Sequence, residues 1–205
     1  MHKSDFLCLN HSNIGYIANS LFEKALDLFE NITLEPNEVL HAIVFNACGS
    51  MGNERAIKLG ENLLHQMPQK YIDDIAVINS AINMLMQFGR IEKAEEIFSK
   101  MKQRNSYTYG VMIKGYNLNE KPHQSLALLD RMKREKILVN EAIAMLLIGA
   151  CSQIGIRSIC QNIVHQISHL PENLQVKTAL IDMWVGHLQL VRSLFQSLPF
   201  FSYIG

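Results

Sequence analysis

His165 and His169 lie four residues apart in a stretch of helical periodicity, which would point two imidazoles to one side as a metal-binding pair does. No acidic residue or cysteine completes a ligand set around them, and His165-Gln166 repeats an earlier His65-Gln66, so no metal site is expected. His11, His41, His123 and His187 are isolated. Asp73-Asp74 and Glu95-Glu96 set carboxylates side by side, the raw material of acid–base chemistry. On a helix such neighbours diverge by about 100 degrees, and a solvated face accounts for them. Phosphate-cradling glycine loops, a GxSxG elbow, an HExxH pair and an HxE followed by PCxxC are all missing. The expectation is a chain without catalytic residues, cofactors or a small-molecule substrate. Of the four cysteines, Cys48 and Cys151 recur at equivalent places and so belong to different units as buried small residues. Cys8 and Cys160 have no CxxC context, which suits a reducing compartment.

The elements that carry these residues announce themselves by repetition. Asn37-Glu38, Ala47-Cys48 and Gly52 return with identical spacing as Asn140-Glu141, Ala150-Cys151 and Gly155, and Gly15-Tyr16 returns as Gly115-Tyr116. Self-similarity at a fixed period marks units that bury their apolar faces only by stacking on one another. Ile78, Ala81, Ile82 and Leu85 share one helical face, and Ile91, Ala94, Ile97, Phe98 and Met101 form a second stripe after the break at Gly89. Two helices per unit is the simplest account. Pro36, Pro68, Pro171 and Pro199 fall after second helices and Pro122 near the start of one, where its missing donor costs little. With no alternating strand pattern and no strand-Gly-helix sequence, the fold expected is all-α.

About half of the 205 residues are hydrophobic (48%), with 11 glycines and no low-complexity tract, as in a chain that buries a core. The longest apolar run, Ala142 to Cys151, is too short to cross a bilayer of about 30 Å. Met1-His2-Lys3-Ser4-Asp5 shows neither a secretory signal nor an Arg-rich amphipathic helix, so no targeting peptide is visible and such information is either absent or lost from this stretch.

Aligning the unit beginnings gives 6–37, 38–74, 75–105, 106–140, 141–173 and 174–199, with a tail at 200–205. The phrases from Asn105 to Tyr116 and from Ala179 to Trp184 resemble, over essentially the whole chain, the pentatricopeptide repeat family in the form whose units alternate in length. A tetratricopeptide array would keep a steady period near 34 and a Trp, Leu, Gly, Tyr pattern, whereas the single tryptophan here is Trp184. The resemblance implies a right-handed α-solenoid of about six stacked antiparallel helix pairs. It also implies binding of single-stranded RNA, one base per unit, read by a few side chains.

In that family the fifth and last residues of a unit read the base. The corresponding pairs here are Asn10 with Asn37, Ala42 with Asp74, Asn79 with Asn105, Gly110 with Asn140, and Met145 with Asn173. The two asparagine pairs resemble pyrimidine readers leaning to cytosine. Ala42, Gly110 and Met145 offer no polar group, and Thr178 suits a purine-reading unit. For each of these residues a turn or helix-surface role is the competing account. Base-clamping candidates at the second position are Val39 and Tyr107, of which the aromatic one can stack on a base.

The 19 basic and 19 acidic residues cancel, which opposes strong backbone binding. Their distribution is uneven, with 11 basic and 6 acidic residues between 90 and 140. Lys100, Lys102, Arg104 and Lys114 are the candidate phosphate contacts, and a solvated outer face is the competing reading of that run. The resemblance places the protein in a mitochondrion or other organelle, acting on a transcript's processing, stability or translation. Two alternatives remain: a scaffold that binds other proteins or a dimer partner, and the guide portion of a larger RNA-editing or RNA-processing enzyme. No membrane partner is expected.

Overall fold

A computed structural model describes residues 21–31, 36–155 and 161–163. Asn10, Asn173, Thr178, His165, His169, Cys8 and Cys160 lie outside the described residues. Among the described residues the chain is all-α, running α1 (Phe22–Glu30), α2 (Glu38–Met51), α3 (Glu54–His65), α4 (Gln69–Ile72), α5 (Ile75–Gln87), α6 (Ile91–Lys100), α7 (Ser106–Leu118), α8 (Pro122–Arg134) and α9 (Glu141–Ile154). It divides into two compact units, Met1–Asn119 and Glu120–Gly205.

Helix starts follow from cap chemistry. The side chains of Asn37, Asp74, Asn105 and Asn140 accept hydrogen bonds from first-turn backbone N–H groups of α2, α5, α7 and α9. At α7 the cap is reciprocal, since Thr108 N donates to Asn105 Oδ1 at 2.9 Å and Asn105 N donates to Thr108 Oγ1 at 3.3 Å. Both α2 and α9 stop at a left-handed glycine, Gly52 (φ 61°) and Gly155 (φ 70°), a conformation that costs an L side chain strain. The duplicated Asn-Glu and Gly therefore bracket one helix in each copy.

In the first compact unit α2 packs on α5 and α5 on α7, while α1 and α3 cover α2 and α6 covers α5. These are two layers, a row of first helices backed by a row of second helices. Leu40, Val44 and Phe45 of α2, Ile78, Ile82 and Leu85 of α5, Phe98 of α6 and Met112 of α7 form the buried seam. Each contributes roughly 1.5–3 kcal/mol on burial. The stripe Ile78, Ala81, Ile82 and Leu85 is buried as its spacing requires. Tyr109 meets Phe98 edge-on, with ring centroids 5.3 Å apart. In the second compact unit α8 packs on α9, and Leu129 and Met132 of α8 and Ile143, Leu147 and Cys151 of α9 are buried.

One element departs from the two-helix expectation. Between Met67 and Asp74 the chain forms the short helix α4 after Pro68, which lengthens that stretch by a turn. His41 is buried beside it, its Nδ1 2.8 Å from the Asn37 carbonyl and its ring 5.0 Å from that of Tyr71.

The second-helix layer is tied by ion pairs. Arg55 of α3 reaches Glu23, Asp27 and Glu30 around α1 at 3.0, 2.6 and 2.5 Å. Glu61 of α3 accepts from Arg90 at 3.2 Å and from Lys93 of α6 at 3.0 Å. Glu30 first and then Asp27 hold the Arg55 guanidinium more firmly protonated, and Lys93 chiefly pulls the Glu61 carboxyl below its ordinary value. Exposed pairs of this kind stabilise little singly, so their effect is mainly to set how second helices align.

Candidate nucleic-acid interface

The face that remains open lies on the first helices. Residues at i, i+3, i+7 and i+11 from the second position share one side of a helix. On α2 these are Val39, Ala42, Asn46 and Ser50; on α5, Ala76, Asn79, Asn83 and Gln87; on α7, Tyr107, Gly110, Lys114 and Leu118. All but Asn79 are exposed or half-buried. Within the first compact unit this makes a surface with an apolar or aromatic edge at the helix starts and polar groups one and two turns inward.

The clamp candidates stand at that edge. Val39 is 41% exposed and Tyr107 67% exposed, which leaves the aromatic ring open to a stacking partner. Ala76 and Ala142 occupy the same register on α5 and α9, also exposed.

The last-residue candidates Asn37, Asp74, Asn105 and Asn140 are the N-caps of the helices that follow them. One oxygen of each is therefore engaged with the backbone, at 2.9 Å from Leu40 N, Ala76 N, Thr108 N and Ile143 N respectively. An asparagine so held still has its Nδ2 donors, and an aspartate its second oxygen. The turn role is thus real, and it fixes the side chain where a ligand would meet it.

The fifth-position candidates differ among themselves. Ala42 and Gly110 are half-buried, and Met145 of α9 is exposed. Asn79 is 2% exposed, and its Oδ1 lies buried without a hydrogen-bond partner. It sits seven residues before Met86, on the side of α5 that meets α7. A buried amide oxygen without a partner costs free energy, so rotation of this side chain toward a donor is favoured.

The four candidate phosphate contacts are not brought to one surface. Lys100 lies on α6 in the second-helix layer, paired with Glu96 at 2.5 Å. Lys102 pairs with Asp73 at 2.7 Å. Arg104 closes the end of α6, donating to the carbonyls of Phe98 and Ser99 at 3.0 Å each, with its guanidinium 5.1 Å from the Phe98 ring centroid. Of the four, Lys114 stands on the open first-helix face of the described residues.

Asn46 and Asn83 occupy this face without having drawn attention in the sequence; each is the ninth residue counted from its helix start. The i+7 spacing from Val39 and Ala76 was the signal for them. Among the described residues no group of three or more His, Cys, Asp or Glu side chains is placed to hold a metal ion. No helix among them is long and apolar enough to cross a membrane. Cys48 is buried, which pushes its thiol up to about 12 and leaves it inert, and Cys151 is buried likewise.

Stacked helix pairs with one open face of first helices define a helical-repeat, solenoid-class protein. A PPR repeat family profile matches residues 73–117, and a PPR repeat profile matches residues 107–137. The chain belongs to the pentatricopeptide repeat family. A chloroplastic pentatricopeptide repeat-containing protein of Arabidopsis thaliana is 30% identical over 146 residues, covering 69% of this chain and 17% of that protein. In structure the chain is similar to the pentatricopeptide repeat protein PPR10 from maize, with a TM-score of 0.59 and 14% identity over 88% of this chain and 25% of that one. It is also similar to nuclear proteinaceous RNase P 2 (PRORP2) from A. thaliana, with a TM-score of 0.61 and 13% identity over 86% of this chain and 41% of that one. The first curated relatives are spanned over 17% to 33% of their length.

Proposed function

We propose that the chain binds single-stranded RNA across the open face of its first helices, and that it acts without catalysis of its own in organellar RNA processing, stability or translation by occupying a transcript. The observation that carries this reading is Tyr107, a 67% exposed aromatic in the first turn of α7, next but one to a cap residue, Asn105, whose Nδ2 is left to donate. A base stacked on Tyr107 would present its edge to that amide. The array of six units of alternating length, from 6–37 to 174–199, belongs to this proposal. So do the pairs Asn10 with Asn37 and Asn79 with Asn105 as pyrimidine readers, Thr178 in a purine-reading unit, and Val39 as a second clamp. The organellar setting rests on relatives whose names read chloroplastic or mitochondrial.

The test is retention of a random single-stranded RNA pool by the purified chain at low and high salt, repeated with Asn105→Asp. Steep salt dependence and a cytosine preference that moves toward uracil in the variant are the expected results. Absence of retention at low salt would remove RNA binding by this chain and put the protein scaffold first.

A further inference from the structure

Asparagine is a poor helix former, yet it recurs at the ninth position of two successive first helices, as Asn46 on α2 and Asn83 on α5. Both are half-buried on the open face, and the intramolecular return is small. Asn46 Nδ2 donates to Ser80 Oγ across the α2–α5 seam at 3.4 Å, a long hydrogen bond. Gln87, one further turn along α5, extends the same neutral polar row. Within helices whose buried sides are hydrophobic, this row is matched to something outside the chain.

Its chemistry narrows what that is. Phosphate oxygens only accept hydrogen bonds and are usually met by cations, whereas the 2′-hydroxyl of ribose both donates and accepts, as amides and serine hydroxyls do. The corresponding residue on α7 is Lys114, so along one row the ninth position changes from amide to ammonium. The row lies four residues, about 6 Å along the helix axis, beyond the fifth-position residues proposed to face the bases. Sugars of a strand whose bases lie toward the helix starts would fall over it.

We infer that Asn46, Ser80 and Asn83 form a ribose-contact row that lets the chain distinguish RNA from DNA of the same base sequence. The inference rests on the RNA-binding reading above. It assigns sugar recognition to α2 and α5 and backbone charge contact to α7. On α9 the same register is occupied by Gly149, which supplies no such contact.

The experiment compares binding of the unaltered chain to a fluorescent random-sequence RNA pool and to a 2′-deoxy pool carrying the same four bases, uracil included. It is repeated with Asn83→Ala and with Asn46→Ala/Asn83→Ala, helix content being checked by circular dichroism. The unaltered chain is expected to prefer the RNA pool. Each substitution should lower RNA affinity about two- to tenfold, as loss of a neutral hydrogen bond does, and leave the deoxy pool unaffected. Lys114→Ala should weaken both pools alike. Equal binding of the two pools by the unaltered chain, or equal weakening of both by Asn83→Ala, overturns the inference and leaves RNA binding standing. Binding of neither pool overturns the RNA reading itself and this inference with it.

Discussion

The side chain of Met86 lies against the backbone of Gly115, where a Cβ would come 2.7 Å from the Met86 Cβ. The absence of a side chain at Gly115 thus sets how closely α7 approaches α5, and with it the spacing of Tyr107 from Ala76 on the open face. Gly115→Ala should destabilise the chain by about 1–3 kcal/mol through overpacking, despite alanine's better helix propensity. Urea unfolding measures this directly. Adding Met86→Ala to Gly115→Ala should recover part of the loss, because the new methyl enters the vacated space; a fully additive double mutant would show that the contact does not set the spacing.

Asn105 has two duties that substitution separates. Asn105→Ala removes the reciprocal cap with Thr108 and should cost about 1 kcal/mol in thermal or denaturant unfolding. Asn105→Asp keeps an oxygen on the first-turn N–H groups and adds a charge suited to a helix N-terminus, so its stability should stay within about 0.5 kcal/mol of the parent. A change in RNA preference with Asn105→Asp at unchanged stability would then report the base contact alone. A large stability loss in the Asp variant would make it unusable as a probe.

Most of the helix framework was legible because cap residues, glycine stops and apolar periodicity are local signals. The duplicated Asn37-Glu38 and Asn140-Glu141 mark helix starts outright, and Ile78, Ala81, Ile82 and Leu85 occupy the buried side their spacing gives them. Residue relations that depend on neighbouring units were not legible. Periodicity puts Asn79 on the same stripe as Ala76 and Asn83, yet Asn79 stands at the flank that α7 covers, and only the approach of α7 to α5 makes it buried. Charge clustering along the sequence joined Lys100, Lys102, Arg104 and Lys114, but the second-helix layer and the end of α6 take up the first three. The short α4 followed no periodic run at all, since four residues are too few to show one.

Glu61 gives the chain an acid-sensitive link between second helices. Its carboxyl is held below the ordinary 4.5 by Lys93 first, with Arg90 adding to the effect against desolvation. A depressed folded-state value means that the unfolded chain binds the proton more readily. The contribution is therefore fully present above about 4.5, the unfolded value, and is lost as pH falls through the lower folded value. Because Glu61 is only half-buried and both cations are exposed, the effect on melting temperature should be modest and should shrink in high salt. Glu61→Gln should flatten the acid side of the stability curve relative to the parent while changing little below the folded-state value. An identical slope in both proteins would show that Lys93 and Arg90 do not hold the carboxylate in solution.

Lys114 provides the sharpest electrostatic test of the open face, since the other three candidate phosphate contacts, Lys100, Lys102 and Arg104, already have partners within the chain. If one phosphate is neutralised by Lys114, its removal releases one fewer counterion on binding. Lys114→Ala should then weaken single-stranded RNA of any sequence nearly uniformly and reduce the slope of log affinity against log salt by about 0.7. The paired Lys100, replaced by Ala, should leave that slope unchanged, because its second-helix position faces away from the proposed strand. Equal slope losses for Lys100→Ala and Lys114→Ala would mean that the strand runs across the second-helix layer instead, and that the open row of Val39, Ala76 and Tyr107 serves another partner.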